Sequence, residues 1–244
     1  MWSGPRNIST ALMRAWENRV DCAVVDEPFY AHYLVRTGID HPGRDQVIAS
    51  QPNEWPPVAE MLVGPAPGNA NIYYQKQMAH HLFPDMEGPW LDALSHAFLI
   101  RDPAEMVASY ARSREAVTAP DLGLHRQVEI WRMVSERTGR DAPIVDGRDV
   151  LLDPEGMLRV LCEALDVAFD DSMLSWPAGA RDTDGVWAPY WYANVQDSTG
   201  FIPYQPKELN LAPALQAIAD ECQEPYAFLQ ARRLRSPSLL QGDQ

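Results

Sequence analysis

Two segments far apart in the chain each set an arginine and hydroxyl side chains at a loop-to-helix junction. They are Ser3-Gly4-Pro5-Arg6-Asn7-Ile8-Ser9-Thr10 and Phe98-Leu99-Ile100-Arg101-Asp102-Pro103, the latter running on to Ser109-Tyr110. The first-turn N–H groups of a helix lack intrahelical partners and the helix dipole is positive there, so such a junction attracts an anion. Two of them predict a ligand with two separated phosphates. Each alone also reads as ordinary turn chemistry, with Asp102 as N-cap and Pro103 at the first helical position of the second. Their joint occurrence is what points to a ligand.

Groups able to move a proton lie at other segment ends. Cys22 to Val25 is a short apolar run closed by Asp26-Glu27-Pro28, which reads as a buried strand with two carboxylates at its C-terminal end. Burial raises a carboxyl pKa towards the range useful to a base, and Glu27 is the first candidate. Capping of the following helix is the structural alternative for Asp26 or Glu27. His80 and His81, one turn beyond a β-prone stretch that exits at Lys76, are the rival bases, because imidazole titrates near neutrality. Lys76 itself suits stabilisation of a charged oxygen, or snorkelling from a strand end.

The elements that must position these groups alternate along the chain. Apolar residues at Ile8, Ala11, Leu12, Ala15 and Trp16 share one helix face. Strands are expected at 22–25, 71–75, 97–100 and 143–145, and helices at 29–35, 103–114, 127–138, 154–165 and 211–229. The stretch 37–57, rich in Pro, Gly and Asp, reads as loop with one short helix. Strands alternating with amphipathic helices give an α/β fold of three layers, a parallel sheet flanked by helices. Ligands of such sheets bind outside the carboxyl ends of strands, where Ser3 to Arg6, Asp26-Glu27, Lys76 and Arg101 are expected to converge.

At 244 residues, with no Gly/Ser-rich or charged linker, the chain is expected to form one domain over 1–235 and a flexible tail over 236–244. A net charge of −14 argues against a nucleic-acid or anionic-membrane surface. No apolar run approaches the about 18 residues of a membrane span and no export signal is visible, so a cytoplasmic protein is expected. Cys22, Cys162 and Cys222 are too widely spaced for a disulfide framework or a zinc site. The strand feeding the first loop is reduced to Met1-Trp2, where a central strand usually takes about five residues. Either the chain starts further upstream, or the loop is weakly anchored.

Together these residues resemble the P-loop sulfotransferases that use 3′-phosphoadenosine 5′-phosphosulfate (PAPS). Gly4-Pro5-Arg6-Asn7-Ile8-Ser9-Thr10 is similar to the family's 5′-phosphosulfate loop. Arg101, with Pro103 after it and Ser109 eight residues on, is similar to its 3′-phosphate motif. Val145-Asp146-Gly147-Arg148-Asp149 followed by Asp153-Pro154 resembles the stretch that comes next, and Trp187 to Phe201 resembles a bacterial sulfotransferase-like branch. The resemblance implies a P-loop nucleotide-binding fold and transfer of a sulfuryl group to a hydroxyl of a small-molecule acceptor, with no metal required. PAPS would be the donor and 3′-phosphoadenosine 5′-phosphate the product. It assigns Arg6, Ser9 and Thr10 to the 5′-phosphosulfate and Arg101 with Ser109 to the 3′-phosphate. Catalysis falls to Arg6, Lys76 and a base drawn from Glu27, His80 and His81.

The departures are specific. Arg6 stands where many members carry a lysine, and a guanidinium is a fixed fork where an ammonium is a mobile point charge. The Lys-Thr-His strand end of many alcohol-using members appears as Lys76-Gln77-Met78. Trp176, Trp187, Tyr190, Trp191, Tyr192 and Phe201 suit either an apolar acceptor pocket or packed core. Two other functions stay open at this level. A P-loop kinase would need GxxxxGK[ST], whereas Ile8 replaces the second glycine and no lysine precedes Ser9. A non-catalytic nucleotide-binding protein on the same fold would keep Arg101 and Ser109 without turnover. No sequence feature sets an oligomeric state.

Overall fold

The computed structural model describes residues 1–241 apart from positions 113, 115 and 207, with position 69 described in its backbone alone. Of the expected tail, residues 242–244 lie outside the described residues. Five strands are present among the described residues: β1 (Trp2–Ser3), β2 (Cys22–Asp26), β3 (Ile72–Met78), β4 (Phe98–Ile100) and β5 (Ile144–Asp146). All their pairings described are parallel and helices flank them, so the fold class is α/β as expected. The chain divides into two compact units. One comprises Met1, Thr10–Leu94 and Asp170–Phe201; the other comprises Trp2–Ser9, Ser95–Phe169 and Ile202–Gln244.

In the first unit β2 and β3 run in register from Cys22↔Ile72 to Asp26↔Lys76. Registered residues of neighbouring strands put their side chains on the same face. That register alone places the Lys76 ammonium beside the Asp26 carboxylate. The strand is longer than expected, so Lys76 lies inside β3 and not at its exit; Gln77 and Met78 continue it, with Gln77 N–H bonded to the Met1 carbonyl at 2.9 Å. Between the two strands lie helices Tyr30–Thr37, Arg44–Ser50 and Trp55–Val63. Tyr30, Tyr33, Leu34, Val47, Trp187 and Tyr192 form a buried core beside them.

In the second unit β4 pairs with both β1 and β5. Phe98, Leu99, Ile100, Ile144 and Val145 are fully buried, each worth about 1.5–3 kcal/mol of hydrophobic stabilisation. Short as it is, β1 is anchored: Trp2 N–H donates to the Ala97 carbonyl at 2.8 Å, its indole Nε1 donates to His96 Nδ1 at 2.9 Å, and the ring is buried. Helices start after the Asp-Pro pairs as expected, at Pro103 and Pro154, and a further helix that was not expected, Gly147–Leu152, starts after Asp146. Asp102 accepts from the N–H groups of Ala104 and Glu105, Asp146 from Arg148 N–H, and Asp153 from Gly156 N–H.

Two expectations are corrected. The terminal helix is two helices, Pro213–Glu221 and Gln223–Gln230, broken at Cys222; Pro225 in the first turn of the second lacks the N–H that would continue the first. The helix after β4 ends at Tyr110, short of the expected 114. Beyond 230 the chain turns back on the unit. Leu234 N–H bonds the Ile144 carbonyl at 2.8 Å, and the hydroxyls of Ser236, at 2.6 Å, and of Ser238, inside the short helix Pro237–Gln241, both donate to Asp153.

Candidate functional site

In the second unit the two arginine segments meet. Gly4 lies against the backbone: a Cβ there would stand 2.2 Å from the Leu122 carbonyl oxygen, so no larger residue fits. Pro5 and Arg6 make the turn, with Arg6 in the left-handed region at φ 59°. Asn7 then pins the loop to the end of β4, its Nδ2 donating to the Leu99 carbonyl at 3.1 Å. Ile8 is half-buried, and Ser9 and Thr10 open the helix Ser9–Glu17. Arg6 Nε donates to Ser109 Oγ at 3.1 Å, and Arg101 Nη1 donates to the Arg6 carbonyl at 2.6 Å. Residues read from separate motifs are therefore one cluster.

Its electrostatics favour an anion at Arg6. Burial first, then the charges of Arg112 and Arg101, push the Arg6 guanidinium below its ordinary pKa, and among the described residues no carboxylate pairs with Arg6 or Arg112. Arg101 differs, because Glu105 one helical turn on takes its Nε at 2.9 Å and Nη2 at 2.8 Å, and Tyr204 Oη donates to the other Glu105 oxygen at 2.6 Å. The backbone amides expected to hold an anion at this second junction are not available. Asp102 Oδ1 accepts from Ala104 N–H at 2.9 Å and Glu105 N–H at 3.1 Å, so any phosphate there is a matter for side chains.

In the first unit a buried ionic cluster joins the end of β2 to Lys76 inside β3. Lys76 Nζ donates to Asp26 Oδ1 at 2.8 Å, to Glu27 Oε1 at 2.6 Å and to Tyr192 Oη at 2.6 Å. Tyr192 Oη donates in turn to Asp26 Oδ2 at 2.6 Å and accepts from Trp187 Nε1 at 3.0 Å. Glu27 is held at φ 41°; Pro28 disfavours right-handed helical backbone at the residue before it, and Glu27 N–H still joins the ladder through the Lys76 carbonyl at 2.9 Å. Left-handed backbone costs a non-glycine residue about 1–2 kcal/mol. Among the described residues only Arg6, Glu27 and Asp166 carry it, and such strain gathers at functional sites.

Burial raises the Glu27 carboxyl pKa and the Asp26 charge adds to it, while Lys76 acts in the opposite sense. Burial alone would lower the Lys76 pKa; the charges of Asp26 and Glu27 outweigh it and hold the ammonium well above its ordinary value. Burial, with Asp26, keeps the Tyr192 phenol well above its ordinary pKa, so it stays protonated. Only one Glu27 oxygen is engaged: Oε2 has no hydrogen-bond partner among the described residues.

The two histidines sit in the short turn Ala79–His81 after β3. His81 is packed between aromatic rings, its centroid 4.9 Å from Tyr30 and 4.5 Å from Tyr33, with Nδ1 buried and without a hydrogen bond among the described residues. His80 packs edge-on against Tyr33 at 5.1 Å. Burial first, then the charges of His80, His41 and Lys76, hold His81 well below its ordinary pKa. Below about pH 6.5 the unfolded chain gains this proton and the folded chain does not, so stability present above that pH is lost on acidification. The unfolding midpoint is expected to fall as pH drops from about 6.5 to 5, and His81→Phe, which keeps the ring stack, to flatten that fall. Thermal melts across this range check it; an unchanged slope in the variant contradicts it.

The Sulfotransferase domain family matches residues 1–216. The chain belongs to the sulfotransferase domain family. Two solved members of this fold are similar. One is the sulfotransferase domain from the Synechococcus PCC 7002 olefin synthase, with a TM-score of 0.54 at 16% identity over 90% of this chain and 92% of that one. The other is the sulfotransferase domain from the curacin biosynthetic pathway, with a TM-score of 0.51 at 14% identity over 90% and 95%. Two curated relatives from Arabidopsis thaliana are also similar. Branched-chain-amino-acid aminotransferase-like protein 1 is 37% identical over 204 residues, 82% of this chain and 36% of that protein. Branched-chain-amino-acid aminotransferase-like protein 2 is 30% identical over 239 residues, 98% and 42%. The chain thus spans about two fifths of the length of these relatives.

Within this sulfotransferase-family chain, three members of the clusters escaped the sequence reading. Asp26 appeared there as a strand-end carboxylate or a helix cap but not as the partner of Lys76, Tyr192 only as one aromatic of six, and Glu105 not at all. The offset between β2 and β3 that joins Asp26 to Lys76 is set by pairing and has no local signal. Glu105, at i+4 from Arg101 on an expected helix, did carry a readable one.

Proposed function

We propose that the chain transfers the sulfuryl group of PAPS to a hydroxyl of a small-molecule acceptor, and that residues 1–235 serve this one reaction. The observation that carries the reading is the meeting of Arg6, Arg101 and Ser109 through the 3.1 Å and 2.6 Å hydrogen bonds, in a chain of the sulfotransferase domain family. Arg6 and Arg112, without carboxylate partners among the described residues, fit a phosphorylated nucleotide better than a neutral ligand. Arg6, Ser9 and Thr10 hold the 5′-phosphosulfate; Arg101 and Ser109 hold the 3′-phosphate.

PAPS supplies an activated sulfur joined to a phosphate oxygen. The acceptor oxygen forms a bond to that sulfur, the sulfur–oxygen bond to the 5′-phosphate breaks, and its electron pair leaves on 3′-phosphoadenosine 5′-phosphate. Glu27 takes the acceptor proton on Oε2, the oxygen free of Lys76. Its raised pKa suits it to that step. Arg6 sets positive charge towards the leaving oxygen; the three Lys76 N–H groups are committed to Asp26, Glu27 and Tyr192. The free thiols at Cys22, Cys162 and Cys222 accord with a cytoplasmic setting.

The test is transfer of label from PAPS carrying radioactive sulfur to a panel of hydroxyl acceptors. The expected result is product formation that Arg6→Ala abolishes. Binding of the nucleotide without transfer to any acceptor would replace this reading by a non-catalytic binding function.

A further inference from the structure

Lys76 is held by two carboxylates, and they are not equivalent. Asp26 has both oxygens engaged: Oδ1 by Lys76, and Oδ2 by the Tyr192 hydroxyl and, at 3.4 Å, by Gly185 N–H. Glu27 has only Oε1 engaged. The Tyr192 hydroxyl is also fully committed. Its proton goes to Asp26, and its lone pairs accept from Lys76 and Trp187. That leaves Tyr192 no capacity for a substrate proton, so its place in the cluster calls for another role.

The segment that delivers Tyr192 is itself tied down. Arg14, fully buried on the helix Ser9–Glu17, pairs with Asp184 at 2.6 Å. Gly185 follows, where a Cβ would stand 2.1 Å from the Trp187 ring, so the strap closes only over glycine. Trp187 and Tyr192 are then buried together on the Asp26 side of the ion pair.

We propose that Asp26 and Tyr192 are a positioning pair: they hold the Lys76 ammonium independently of Glu27, leaving Glu27 as the one carboxylate of the cluster free to exchange a proton. The proposal rests on the sulfuryl-transfer reading for its consequence but not for its geometry. When Glu27 takes up a proton, the buried charges left are Lys76 and Asp26, which neutralise each other. Without Asp26 the same step would strand a buried ammonium, a costly state. Tyr192 keeps Asp26 and Lys76 in register through the exchange.

The sequence offers a clean probe, since Lys76 and Lys207 are its only lysines. In the full chain labelled with ε-15N lysine, the Lys76 ammonium is expected to give a protected signal that exchanges slowly with water. Glu27→Gln should keep that signal. Tyr192→Phe and Asp26→Asn should speed its exchange more than about tenfold, the equivalent of one hydrogen bond to a charged group. Tyr192→Phe should also lower kcat with little change in KM. A signal lost in Glu27→Gln, or unmoved in Tyr192→Phe, overturns the proposal, and Tyr192→Phe decides alone if Asp26→Asn does not fold. If the parent transfers no sulfuryl group yet the signals behave as expected, the positioning pair stands and the functional reading fails.

Discussion

Replacing Lys76 with methionine is expected to destabilise the fold by about 3–5 kcal/mol near pH 7, the cost of leaving a buried charge without its partner. Lys76 is 1% exposed and is the only cation bonded to Asp26 or Glu27 among the described residues. Methionine fills a similar volume, so the loss is electrostatic and not a cavity. Two carboxylates and a phenol would then share a dry site with three donor hydrogens removed. A specific signature follows. Acidification lets Glu27 take a proton, its pKa being raised already by burial and by Asp26, so the deficit should shrink between about pH 7 and 5. Unfolding in denaturant at the two pH values measures it; a loss below about 1 kcal/mol would place Lys76 among surface-type ion pairs.

Glu27→Gln should behave in the opposite way, lowering kcat by about 10²–10⁴ while leaving stability unchanged or raised. Glutamine keeps an oxygen for Lys76 and removes a charge that the fold holds at a cost. The sign follows from the raised pKa: stability is complete below the unfolded value of about 4.3 and is lost as pH rises through the folded one. Near neutrality the variant escapes that loss. Activity given up for stability is the pattern of a residue kept for chemistry. Label transfer and thermal melts on the same preparation separate the two effects. A variant that transfers sulfuryl at the parental rate would leave the base to His80 or His81.

Much of this was legible in the residues. Asp102-Pro103 and Asp153-Pro154 announced helix starts because capping and proline chemistry act within a few residues. The strands were readable for the same reason, through apolar runs ending in polar groups. What escaped depends on pairing over long range. Asp26 is a partner of Lys76 only through the β2–β3 register. Tyr192 belongs to the ionic cluster because of a strap whose closure depends on Arg14 and Gly185. The burial of His81 escaped for a related reason. The nearness of both histidines to the Lys76 strand was visible, but the Tyr30 and Tyr33 rings that bury His81 come from another helix.

The Arg6, Arg101 and Ser109 cluster is expected to bind a nucleotide carrying both 5′- and 3′-phosphates. The direct measurement is the thermal shift of the chain with 3′-phosphoadenosine 5′-phosphate against ATP and ADP, each with and without magnesium. A ligand at 100 times its Kd stabilises by about 2.7 kcal/mol. The expected result is a rise of that order with the bisphosphate alone, lost in Arg101→Ala. A shift with ATP and magnesium but none with the bisphosphate would contradict the account.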